Sequence, residues 1–136
     1  MRTLTPQEAL AFVMVTTAAA DAALAERELE RIGHVVDTLP VFKDFTRDQL
    51  VDAANRCTAL LNEPAGIDHI LAMVKENLPE RFYDTAYAVG TEVAAADLRI
   101  EQEELRFLQM LRDELEIDAL VSAAIERSAR ARFRLA

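Results

Sequence analysis

Apolar residues in this chain recur at three- and four-residue spacing almost from end to end, and no stretch reads as a convincing strand. From residue 6, Ala9, Phe12, Val13, Thr16 and Ala20 share one helical face. "TPQE" precedes that run, with Thr5 placed as N-cap, Pro6 at the first helical position and Glu8 at the third, the pattern of a capping box. "TRDQ" repeats the device with Thr46 and Gln49 and opens a helix burying Leu50, Ala53, Ala54, Cys57 and Leu61, which "NEPAG" ends near Asn62. A shorter helix follows with Ile67, Ile70, Leu71 and Val74 inward. Pro79 starts another, with Phe82, Ala86, Val89, Val93 and Ala96 inward. Leu105, Leu108 and Leu111 mark the next stripe. Asp118 caps a last helix whose inward residues read as Leu120, Val121, Ala124 and Ile125.

Seven helices joined by short linkers predict an all-α fold, a single compact bundle over residues 1–136. The longest irregular stretch is "TLPVFKDFT", residues 38–46. The helical core spans about 5–125, followed by a basic tail, 126–136.

The pattern also repeats. At an offset of 76 residues, Ala18, Ala19, Ala20 and Asp21 fall on Ala94, Ala95, Ala96 and Asp97; Glu28 falls on Glu104, Leu29 on Leu105 and Val13 on Val89. Leu24 meets Ile100, and Ile32, Val35 and Leu39 meet Leu108, Leu111 and Leu115. The shared unit reads as helix, tight turn, helix, so the bundle is expected to contain two pseudo-symmetric halves. Alanines at the end of the first helix permit close packing. The Asp sits at the turn and the Glu in the first turn of the next helix, where negative charge suits the macrodipole.

These acids support two readings. In one, each Glu reaches back to a free backbone N–H and each Asp accepts backbone bonds across the turn. In the other, Asp21, Glu28, Asp97 and Glu104 converge as metal ligands. A set made only of carboxylates selects a hard cation: calcium, magnesium or manganese.

Composition narrows the remaining choices. Among 136 residues, 51% are apolar and 29% charged, a globular rather than disordered balance. The net charge is −9, which argues against a nucleic-acid partner. The single cysteine, Cys57, lies on an apolar helix face, which excludes an internal disulfide framework or thiolate zinc site. No apolar run is long enough for a transmembrane segment, and "MRTLTPQEAL" lacks the apolar centre of a signal peptide, so the expected compartment is the cytoplasm.

Catalytic candidates are few. The two serines, Ser122 and Ser128, both fall in the last helix. His34 and His69 form no H-E-x-x-H motif, and no Gly-rich phosphate loop occurs. The chain is therefore expected not to be an enzyme. The tail "ERSARARFRLA" brings Arg127, Arg130, Arg132 and Arg134 together, a segment suited to an anionic surface, an acidic partner or the chain's own carboxylates.

"AAADAALAERE" and "VAAADLRIEQEE" resemble the TerB-like family, small all-helical proteins named for bacterial tellurite resistance. The family pattern is an apolar helix ending A-x-A-D-G, a hydrophobic residue, then a Glu opening the next helix, used twice. The likeness covers roughly residues 5–125. It implies a non-catalytic module of bacterial stress and tellurite response, divalent metal binding at Asp21, Glu28, Asp97 and Glu104, and a protein partner in a membrane-associated complex. The alternative is an acidic interaction scaffold without metal. The family Gly after each Asp is Ala22 in the first unit and Leu98 in the second.

Overall fold

Both capping boxes form. In the computed structural model, which describes residues 3–19, 24–96 and 102–136 (the side chains of 102–104 excepted), the Glu8 amide donates to Thr5 Oγ1 at 3.1 Å and the Thr5 amide to the Glu8 carboxylate at 2.9 Å. The Gln49 amide donates to Thr46 Oγ1 at 3.1 Å, and the Thr46 amide to Gln49 Oε1 at 2.8 Å. Asp118 accepts from the Leu120 and Val121 amides. Caps of this kind contribute on the order of 0.5–2 kcal/mol each.

The helices are α1 (Pro6–Ala18), α2 (Glu26–Thr38), α3 (Arg47–Leu61), α4 (Gly66–Asn77), α5 (Tyr83–Ala96), α6 (Gln102–Glu114) and α7 (Ala119–Arg132). Single 3₁₀ turns, Pro40–Phe42 and Glu80–Phe82, precede α3 and α5. Among the described residues there is no strand. No helix there is long and apolar enough to cross a membrane.

The centre of the bundle is α1, which touches α2, α3, α4, α5 and α6. Every residue from Glu8 to Ala18 is buried, so this helix has no solvent face, unlike the one-sided helix its spacing predicts. Its polar side chains are satisfied inside the core. Thr17 Oγ1 donates to the Val13 carbonyl at 2.8 Å, and Thr16 Oγ1 lies 3.3 Å from Cys57 Sγ. The Glu8 carboxylate also accepts a charge-assisted bond from Arg56, whose guanidinium lies 5.8 Å from the Phe12 ring centroid.

On α3, the expected Leu50, Ala53, Ala54 and Cys57 are buried, with Leu61 half-buried. On α4, Ile70, Leu71 and Val74 are buried and Ile67 is half-buried. The start of α5 is later than Pro79. That residue is extended (φ −57°, ψ 141°), and the chain makes one 3₁₀ turn before the α-helix begins at Tyr83.

Two inward faces are corrected. Phe107, Leu108, Leu111 and Leu115 make the buried side of α6, while Leu105 is 44% exposed. Around the helix axis the centre of that face falls between Phe107 and Leu108, and Leu105 lies about 105° from it. On α7, Ser122 and Ala129 are buried. Leu120 is 81% exposed, Val121 and Ala124 face solvent, and Ile125 is half-buried. The face that meets α5 is thus lined by small residues, which allow close approach.

Candidate functional site

The sequence singles out Asp21, Glu28, Asp97 and Glu104. Asp21 and Asp97 lie outside the described residues, as do Ala22 and Leu98. Glu104 lies in α6, with its side chain outside the description. Glu28 is half-buried in the first turn of α2, at the third helical position after Ala25. Ala25 is the N-cap and supplies no side-chain cap. The Glu28 and Leu29 amides both donate to the Ala25 carbonyl at 3.1 Å. Leu24 packs half-buried against the core, as a turn plug should.

Among the described residues, no group of three or more His, Cys, Asp or Glu gathers at metal-binding range. His34 and His69 are exposed. Cys57 is fully buried, and burial pushes its thiol up to about 11, against a smaller opposing effect from the Thr16 hydroxyl. A thiol so held is a core side chain rather than a nucleophile.

A different constellation stands out between α2, α5 and α7. The Tyr87 hydroxyl on α5 donates to Glu126 of α7, and Arg132 Nη2 on α7 donates to Glu92 Oε1 of α5 at 2.7 Å. The two contacts advance together along both helices, so α5 and α7 run parallel. Glu126 also lies 3.9 Å from Arg112 of α6. Burial, then Glu126, pushes the Tyr87 hydroxyl up to about 12. The bond to Glu92 holds the Arg132 guanidinium more firmly in its charged form.

Beside this seam, α2, α5 and α7 enclose an open groove of about 590 Å³. Its floor includes the buried Val35, Val89 and Ala129. Leu39, 38% exposed, and the half-buried Ile125 also line it. Polar groups collect where Glu92, Ser128 and Arg132 meet, and Arg132 Nε donates to Ser128 Oγ at 3.3 Å. Sequence reasoning missed this groove. The available signal was the basic segment: its Arg132 lies in α7 and pairs with the chain's own Glu92.

Among the described residues the fold is a compact all-α helical bundle. Compared with known proteins, the chain matches no family model, no curated protein and no solved structure.

Proposed function

We propose that this chain is a non-catalytic TerB-like module that binds a divalent cation through the carboxylates of its two repeated turns, in a bacterial tellurite or stress response. The observation carrying the reading is the doubled unit "AAAD…E", which joins α1 to α2 and α5 to α6 at the same offset. Part of the packing follows the same order: α1 rests on α2, α3 and α6 as α5 rests on α6, α7 and α2, while α4 packs on α1 in addition. The donor chemistry fits as well. Four carboxylates with no thiolate or imidazole suit calcium, magnesium or manganese rather than zinc or copper. Asp21 and Asp97 would hold the ion from the turns, and Glu28 and Glu104 from the helix starts.

A second reading is favoured by the cap at Ala25. Its side chain offers the α2 amides no acceptor, so Glu28 serves as a helix-start acid and the chain works as an acidic scaffold without metal.

Titration of apo protein with calcium, magnesium and manganese separates the two. An ion bound only by the folded state raises Tm, by about 2.7 kcal/mol of stability at a hundredfold excess over Kd. The rise should vanish in the Asp21→Asn, Asp97→Asn double variant. No rise at millimolar ion, or an undiminished rise in the double variant, removes the metal and leaves the scaffold.

A further inference from the structure

The groove between α2, α5 and α7 has a property independent of the repeated acids. Its depth comes from buried side chains: Val89 is 1% exposed, Ala129 2% and Val35 6%. The floor is therefore preformed. Its volume of about 590 Å³ falls within the range of small-molecule sites, roughly 300–1,000 Å³.

The ends of the groove differ. Because α5 and α7 are parallel, Thr85 and Ala124 stand at one end and Glu92 and Arg132 at the other. The distance between them along α7, from Ala124 to Arg132, is about 12 Å at 1.5 Å per residue. The first end has Thr85 as its polar side chain from α5 and α7, and α2 adds His34 and Thr38 to the lining of the groove. The other end carries a carboxylate and a guanidinium 2.7 Å apart.

That pair, with Glu92 31% and Arg132 52% exposed, supplies the charged contacts open to a headgroup. An anionic head drawn to Arg132 meets Glu92 at the same place, and a cationic head drawn to Glu92 meets Arg132. A neutral group that both donates and accepts meets neither conflict. Guanidinium has five N–H donors and carboxylate about four acceptor positions, so each keeps capacity after the bond between them. A carbonyl oxygen can accept from Arg132 while the adjoining N–H donates to Glu92.

We propose that this groove binds a neutral apolar ligand bearing an amide headgroup. The amide lies against the Glu92–Arg132 pair and the apolar body lies over Val35, Val89 and Ala129, beside Leu39 and Ile125. Charge complementarity chooses the head, and the length and lining of the groove choose the body.

The test uses the full chain and the neutral fluorophore N-phenyl-1-naphthylamine. Its emission should rise on binding, and octanamide should displace it about tenfold better than octanoate or octylamine. Ala124 is exposed, so Ala124→Trp blocks the groove from its rim without entering the core. This variant should abolish the emission rise while keeping the parent helical circular dichroism. Glu92→Gln should shift preference toward octanoate, because Arg132 is then uncompensated, and Arg132→Gln should shift it toward octylamine. No emission rise, or a rise that survives Ala124→Trp, overturns the proposal. Equal competition by the three eight-carbon compounds also overturns it, and leaves an unselective apolar face of the kind a partner helix covers.

Discussion

The Tyr87 hydroxyl donates to the Glu126 carboxylate across the seam between α5 and α7, while Arg112 approaches the same carboxylate from α6 at 3.9 Å. Tyr87 is 3% exposed, and Glu126 is the carboxylate its hydroxyl donates to. Tyr87→Phe should lower stability by about 0.5–1.5 kcal/mol in urea unfolding.

The pair also sets a pH response. In the unfolded chain Tyr87 titrates near 10.0, and in the fold near 12. Between those values the unfolded chain has lost a proton that the folded chain keeps, so stability falls as pH rises. Cys57 acts in the same direction from 9.0 to about 11. Urea midpoints should therefore decline between pH 9 and 12. Tyr87→Phe should flatten the upper part of the decline and Cys57→Ala the lower part. A midpoint that rises with pH in this window contradicts both assignments.

Two neighbouring apolar residues on α6 should differ sharply. Phe107 is 1% exposed and Leu105 44%. Phe107→Ala should cost about 3–5 kcal/mol through lost burial and the cavity it leaves. Leu105→Ala should cost less than about 1 kcal/mol, since little apolar surface is withdrawn from water there. Equal losses in chemical denaturation would place the α6 face where the spacing of the leucines alone puts it.

Two helical glycines should respond with opposite sign. A Cβ at Gly33 meets the Arg47 guanidinium, with Nη1 at 1.7 Å. That group ends a long side chain that is 52% exposed, and its ion pair with Asp37 is a surface contact of little energetic weight. Arg47 can swing away, so Gly33→Ala should gain about 0.5 kcal/mol from helix propensity. At Gly90 the added atom would sit 2.9 Å from Leu108 Cδ2 and 3.2 Å from Val13 Cγ1, inside the core. Gly90→Val should therefore cost about 1–3 kcal/mol by overpacking. Thermal or urea unfolding of the two variants checks both signs.

Helix identity was legible because its causes are local. Thr5 with Glu8, and Thr46 with Gln49, reach each other across a single turn, and Asp118 caps the amides two and three residues on. The buried side of α3 was equally plain, because its small and large apolar residues fall on one stripe. The candidate metal ligands were legible only as a repeated pattern. Of the four, Glu28 alone has a described side chain, half-buried at the start of α2.

What a helix packs against is not local. Residues Leu120 and Val121 read as inward by their hydrophobicity, yet α7 turns Ser122 and Ala129 toward α5. The Tyr87–Glu126 and Glu92–Arg132 bonds hold it in that rotation, and each joins residues about forty positions apart. The sequence by itself determined the helices, the starts of the capped ones and the recurrence of one residue pattern at an offset of 76. Only the tertiary structure decided that α1 would be buried on every side and that α2, α5 and α7 would leave a groove with a paired charge at one end. Capping and periodicity are settled within a turn or two of helix. Burial and the groove depend on side-chain volumes and charges brought together from helices far apart in the chain.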